Sequence, residues 1–392
     1  MALRQHFVCG GEYMKYGHLE RINVTLRALG PVFIGSGESF NKKEYIFNSS
    51  QGLIHFLHLP RFVSFLKSRN LLNSYEKFLI DPRSKDLHKF LLDHNVQEDD
   101  YSAFVIYSIE AGEAAQAPNF REVLPFLKDP SGHPYIPGSS LKGALRTALG
   151  AYLLKRDNWD RLRQDIERAD TNINARRYLK REKDVLERQL YYRLQIRNPR
   201  DNRPVSGAIN DFMQGIRISD SAPLDFSSLT LAGKYDRKPD GTVSPLPIFR
   251  ECLKPDSEAS LVITLDLPVL AKVGLTLGDI EKSLHSFADE YYANFEQHFA
   301  ELSDDAPLAA QQGVDIILGG GAGYVSKTLT YNLFPQTDKA LALVAKIMSK
   351  QFPARHGHTR DVNVHRISPH MLKTARYAGQ YYQMGRCELI FN

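Results

Sequence analysis

The chain has 392 residues, with 50 Lys and Arg against 45 Asp and Glu, 43% hydrophobic and 24% charged residues. That length suggests two or three domains with well-buried cores, and the composition excludes wholesale disorder. No apolar run approaches the ~18 residues of a membrane span, no apolar leader follows Met1, and three scattered cysteines (Cys9, Cys252, Cys387) exclude a disulfide scaffold and fit a reducing cytosol.

The first clear element is Glu20–Leu29, where Ile22, Val24, Leu26 and Ala28 alternate with polar residues in a strand of period two. It runs into Gly30-Pro31 and the loop Gly35-Ser36-Gly37. The runs Glu44–Phe47 and Leu53–Leu57, parted by Ser49-Ser50-Gln51-Gly52, read as a hairpin. Pro60–Arg69 opens with proline at a first helical turn, and further helices fall within Ser74–Asn95. Five prolines between Pro118 and Pro137 break the next stretch into loop. A helix starts at Ser139 and leads into a charged segment, Lys155–Arg203.

Residues 176–203 hold ten cations (Arg176, Arg177, Lys180, Arg181, Lys183, Arg188, Arg193, Arg197, Arg200, Arg203) against four carboxylates, an excess of six. The positive charge is therefore localised. Pairs such as Asp184–Arg188 would lace it as a solvated helix. Strands return at Gly215–Ser219 and Ser260–Leu267, with a proline-rich connection, Pro239–Pro255, between them. Leu277–Ala300 carries Ile280, Leu284, Phe287, Tyr291 and Phe295 on one face, a core helix. A loop at Ala306–Gln312, Val314–Leu318, a glycine run, a helix at Thr337–Gln351 and a strand within Met384–Phe391 complete the chain. Strands and helices mix without a βαβ beat, which argues α+β.

Two segments could carry chemistry. In Pro137-Gly138-Ser139-Ser140-Leu141-Lys142-Gly143-Ala144-Leu145-Arg146, a serine can cap the helix while Leu141, Leu145, Leu149 and Tyr152 form its buried stripe. Lys142 and Arg146 are like charges four apart, costing ~0.2–0.5 kcal/mol, and Gly143 costs ~1 kcal/mol relative to alanine. A phosphate at the helix N-terminus would offset both costs; a capped helix with two solvated cations is the alternative. Ser139-x-x-Lys142 also fits a serine–lysine acylation motif, but the required Lys-Thr-Gly is absent, since Lys327-Thr328 precedes Leu329. The second segment is Leu318–Thr328, where Gly319, Gly320, Gly321 and Gly323 would let amides line a phosphate. It is neither a P-loop, because Ser326 precedes Lys327, nor a dinucleotide fingerprint. His356, His358, His365 and His370 read as an exposed loop touching RNA through Arg355, Arg360 and Arg366, with no cysteine or paired carboxylate to complete a metal set. The first aspartate is Asp81, so the loop after the first strand, residues 38–48, offers Glu38 and Glu44 only.

These segments resemble a known superfamily. Thr25–Gly37, Tyr135–Arg146 and Leu318–Thr328 resemble the opening strand and loop, the central motif and the C-terminal glycine-rich loop of the RAMP proteins, the RNA-binding superfamily of CRISPR systems. Within it, the length, Phe249–Pro255, and the tail around Ile367-Ser368-Pro369 and Met384–Glu388 are similar to the fifth-subunit family of the type III-A (Csm) effector complex. The likeness spans Leu19 to Phe391. The resemblance implies tandem ferredoxin-like (RRM-like) domains, placed at 18–150 plus 205–270 and at 275–392; the basic segment 155–204 does not match the superfamily's motifs and reads as an inserted helical region. It implies a subunit that binds the 3′ part of the CRISPR RNA, caps the backbone filament and supports CRISPR RNA maturation. Expected partners are CRISPR RNA, target RNA, the neighbouring backbone RAMP subunit, the small helical subunit and trimming nucleases.

The repeated backbone subunit cuts target RNA with an aspartate in the loop after its first strand. Its absence here implies holding RNA without cutting it, with no cofactor, no metal and no catalytic residue. The RNA contacts expected are Gly35, Ser36, Gly37, Gly138, Ser139, Ser140, Lys142, Gly143, Arg146, Gly319, Gly320, Gly321, Gly323, Tyr324 and Lys327. A metal-independent endoribonuclease using His55, His58 or His133 as base, and a scaffold whose basic helices bind an acidic protein, are the alternatives.

Overall fold

The computed structural model describes residues 17–83, 86–117, 122–299 and 307–392; Cys9, Pro118 and the start of the expected loop at Ala306 lie outside them. The α+β expectation holds, with two sheets. Alternation in the opening segment produces strand β1 (Leu19–Ala28), whose Ile22, Val24, Leu26 and Ala28 point inward. The hairpin forms as β3 (Tyr45–Asn48) and β4 (Leu53–Leu57), after a two-residue β2 (Phe40–Asn41). Helices α1 (Leu59–Ser68), α2 (Leu72–Ile80) and α3 (Leu87–Asp93) follow, and they close a small separate core on Phe62, Tyr75, Phe90 and Phe104. His58 caps α1, its Nδ1 accepting from the Arg61 amide at 3.2 Å.

Next come β5 (Val105–Glu110), β6 (Glu122–Leu124), α4 (Gly138–Leu154), α5 (Asp160–Glu167) and α6 (Lys180–Tyr191). The remainder is β7 (Ile216–Ile218), β8 (Leu229–Arg237), β9 (Val243–Leu253), β10 (Glu258–Asp266), α7 (Leu267–Ala271), α8 (Leu277–Asn294), β11 (Ile316–Ile317), α9 (Thr330–Leu333), α10 (Thr337–Gln351), β12 (Leu372–Tyr377), β13 (Gln380–Gln383) and β14 (Arg386–Phe391). Among the described residues no helix is long and apolar enough to cross a membrane.

One sheet runs β11-β14-β1-β10-β7, all antiparallel. Its inward face shares one core with Leu141, Leu145 and Leu149 of α4 and with Ile280, Leu284 and Phe287 of α8, each burial stabilising by roughly 1.5–3 kcal/mol. This sheet draws strands from both 18–150 plus 205–270 and 275–392. The other sheet runs β2-β6-β9-β8-β5-β4-β3, and the β12–β13 hairpin joins it through β8.

The expected loop at Pro239–Pro255 is instead strand β9. Pro245 faces Tyr235 where only β8 flanks β9, and Pro247 falls at the register shift after Gly233. Those are an edge and a bulge, where a strand tolerates a missing N–H. A buried network anchors the second sheet. The Glu251 carboxylate, fully buried, accepts from Tyr107 Oη (2.7 Å), the Phe126 amide (2.8 Å) and Lys128 Nζ (2.7 Å). Burial first, and the adjacent Glu251 charge second, push the Tyr107 hydroxyl well above its usual pKa.

Candidate nucleic-acid interface

The loop after β1 and the glycine loop after β11 meet. The Gly320 amide donates to the Phe33 carbonyl at 2.6 Å, and a Cβ on Gly319 (φ +76°) would stand 2.1 Å from that same oxygen. Gly321 (φ +84°) leaves room for Arg250, whose guanidinium lies 5.1 Å from the Phe33 ring centre. These glycines therefore answer to close backbone approach. Gly35 packs on the Phe33 ring, Ser36 Oγ accepts from the Glu38 amide, and Gly37 (φ +89°) turns in open space.

The start of α4 lies elsewhere. Gly138 packs against the Ile218 and Ser219 carbonyls at the β7 edge, the opposite edge of the sheet from β11, four strand spacings or roughly 19 Å across. Neither serine caps the helix. The Gly138 amide donates to Asp220 Oδ1 at 2.8 Å, so a carboxylate of the chain itself sits where a phosphate was expected. Ser139 is exposed and Ser140 half-buried.

Arg146 is committed within the fold. It pairs with Asp211 (2.7 Å) and Glu187 (2.5 Å), and it stacks 3.6 Å from the Tyr191 ring centre. Tyr191 Oη in turn donates to the Arg146 carbonyl at 2.9 Å, at a spot where a Cβ on Gly150 would collide with it. The face of α4 that carries Arg146 is thus the seat of α6. Lys142 makes no hydrogen bond or ion pair with a described residue. Burial lowers its pKa, opposed by Asp211 and reinforced by Arg146 and Arg217. Beside it Gly143 faces open space.

Basic residues 176–203 divide into two groups. Arg193 pairs with Asp157 at 2.5 Å, and Arg188 donates to the Asp184 backbone carbonyl, not to its carboxylate. Arg176, Arg177, Lys180, Arg181 and Lys183 are exposed and make no ion pair with a described residue. Lys350 of α10 ties this region down, donating to the Thr171 and Ile173 carbonyls and lying 5.0 Å from the Tyr178 ring centre.

A cleft of about 810 Å³ opens at the glycine loop, between β8, β12, the loop and residues 352–371. Gly321, Gly323, Tyr324 and Lys327 from the expected contacts line it. So do Lys234, Lys238, Lys373, Arg355 and Arg360, against one carboxylate, Asp236. Asp236 holds Lys373 at 2.9 Å and Lys234 at 3.7 Å. Lys327 donates to the Gly319 carbonyl at 2.5 Å, and burial lowers its pKa. Burial, then the Lys373 charge, lowers that of Lys234. Lys238, Arg355 and Arg360 make no side-chain ion pair with a described residue. Tyr324 is half-buried, its hydroxyl 3.1 Å from Thr330 Oγ1. Several cations converging on one concave wall suit a phosphate backbone. Sequence reasoning missed Lys234 and Lys373 because their strands were themselves missed.

The expected exposed histidine loop is corrected. His358 and His370 are buried, and Asp361, five residues after His356, joins them. The carboxylate accepts from His370 Nδ1 (2.5 Å), His358 Nδ1 (3.0 Å) and Ser368 Oγ (2.6 Å). Despite burial, these bonds hold its pKa below the usual carboxylate value. The histidines offered as general bases lie apart from this cleft. His55 Nδ1 lies 2.7 Å from Ser108 Oγ and burial lowers its pKa, His58 is the cap of α1, and His133 packs near Phe226.

Comparison with known proteins adds three findings. The model of the RAMP superfamily matches residues 25–323. The chain is 30% identical to the "CRISPR system Cms protein Csm5" of Mycobacterium tuberculosis, covering 95% of this chain and 98% of that protein. It is also 30% identical to the Streptococcus thermophilus protein of the same name over 81% of each. In fold it matches a chain of the cryo-EM structure of a Csm–crRNA–target RNA ternary complex of a type III-A CRISPR-Cas system, with a TM-score of 0.63 at 19% identity, covering 95% of this chain and all of that one. The crystal structure of T. onnurineus Csm5 matches with a TM-score of 0.56 at 18% identity, covering 93% and 99%.

Proposed function

Because the chain belongs to the RAMP superfamily and, within it, to the Csm5 family, we propose that it is a non-catalytic RNA-binding subunit of a type III-A CRISPR effector complex. In this reading it holds the 3′ part of the CRISPR RNA, caps the backbone filament beside its neighbouring RAMP subunit and supports CRISPR RNA maturation. The observation that carries it is the cleft, where six cations and three positive-φ glycines (Gly321, Gly323 and Gly357) line the wall with a single carboxylate. Gly321, Gly323, Tyr324, Lys327, Lys238, Arg355 and Arg360 are the proposed contacts. Lys142, beside the open surface at Gly143, is a second cation on a different part of the molecule. Arg146 and the start of α4 serve the fold, since both are already paired with carboxylates.

Such contacts read the sugar–phosphate backbone and carry little sequence preference. No aspartate lies between β1 and Asp81, in keeping with binding without cleavage. The test is mass-spectrometric RNA crosslinking on the assembled complex. Crosslinked peptides from 319–327 and 352–373 are expected; their absence, with crosslinks elsewhere on this chain, overturns the assignment.

A further inference from the structure

Residues 352–371 form one wall of the cleft without a single strand, as short turns through Gly357 (φ +73°) and Arg366 (φ +54°). Asp361 sits at their centre with no exposed surface. A buried ionised carboxylate is costly unless a cation or several donors compensate it. Among the described residues neither lysine nor arginine pairs with Asp361; its partners are His358, His370 and Ser368.

The two imidazoles present the same atom, Nδ1, each to a different oxygen of the one carboxylate. One donor atom from each of His358, Asp361 and His370 lies within 4.8 Å of the others. Bonds of about 2.0–2.2 Å to a central ion require only a small rearrangement of such a set. Two neutral imidazoles and a carboxylate suit Zn²⁺, a d¹⁰ ion with no geometric demand of its own.

We propose that His358, Asp361 and His370 bind a divalent transition-metal ion, Zn²⁺ by ligand chemistry, which clips residues 352–371 into the cleft wall. The ion takes the place of both Nδ1–H donors, each neutral ring then carrying its proton on Nε2, and sets a positive charge against the buried carboxylate. His358 and His370 also line the cleft, so water from that side can complete the coordination. His365, stacked 4.5 Å from His370, and exposed His356 flank the set without joining it.

The tag-free full-length chain is stripped with chelator, loaded with Zn²⁺, dialysed and analysed for bound metal by mass spectrometry. About one ion per chain is expected, retained in H356A and lost in D361A and H370A. Zn²⁺ at a hundredfold excess over its dissociation constant should raise the wild-type Tm by about 3–5 °C. Should the variants fail to fold, cobalt substitution of wild type decides: tetrahedral d–d bands support the site. No retained metal with an unchanged Tm overturns it, as does metal retained equally by H356A and a folded H358A/H370A variant. These readouts involve no RNA, so they stand or fall apart from the RNA-binding assignment.

Discussion

Replacing Arg355 and Arg360 together with alanine isolates the phosphate chemistry of the cleft from its folding. Both are exposed and make no ion pair with a described residue, so stability should move by less than about 0.5 kcal/mol each. Of the six lining cations, Lys234 and Lys373 share Asp236, which leaves four for phosphates. Each contact on single-stranded RNA contributes about −0.7 to the slope of log K against log salt. Four contacts give about −2.8, and the variant about −1.4. Between 50 and 200 mM salt, wild-type affinity should fall about 50-fold and that of the variant only about 7-fold. Fluorescence anisotropy with labelled single-stranded RNA across that range measures both slopes. Equal slopes for the two proteins would refute phosphate contact by this wall.

Glu251→Ala should cost about 3–5 kcal/mol, because it strands Lys128, Tyr107 Oη and the Phe126 amide in the core; denaturant unfolding measures it. Arg146→Ala should loosen α6 from α4, losing about 2–3 kcal/mol and speeding proteolysis within 155–204. A large drop in RNA affinity with unchanged proteolysis would instead return Arg146 to the RNA. Asp279 is held at a pKa of about 2 by hydrogen bonds from Tyr152 and Thr276. Its folded pKa lies below the unfolded one, so its contribution is present above pH ~4 and fades as pH falls toward ~2. Asp279→Asn should therefore cost about 1 kcal/mol at pH 7 and nothing near pH 2, as followed by thermal melts.

Legibility in the sequence followed periodicity. β1 carries a clean two-residue pattern, α8 a helical apolar stripe, and the first hairpin a turn signal between two apolar runs, and these appear where expected. β8 is buried on both faces over Leu229–Gly233 and shows no alternation, while β9 was hidden by prolines tolerated at an edge and a bulge. At Gly319 and Gly138 the groups that approach closely are the chain's own, Phe33 and Ile218, while Gly143 faces open space. Arg146 looked available for phosphate because its partners, Glu187 and Asp211, lie 41 and 65 residues downstream. Asp361 lay inside the histidine stretch in full view. Only folding brings His358 and His370 onto its two oxygens.

Strand β1 is hydrogen-bonded to β10 on one side and to β14 on the other, pairing residues near 24–28 with 387–391. The central strand of the first sheet thus waits for partners made more than 350 residues later. During synthesis Leu26 and Ala28 stay without one neighbour until Cys387 and Leu389 have been made, and closing so long a loop is slow. Until then an unpaired strand edge stands open to aggregation. A chain halted before residue 386 lacks β14 entirely, and with it the Arg386 carbonyl that accepts from Leu29 ahead of the Phe33 turn. Synthesis through β14 therefore acts as a checkpoint, because only a chain that contains this strand can complete the sheet that supports the glycine loop.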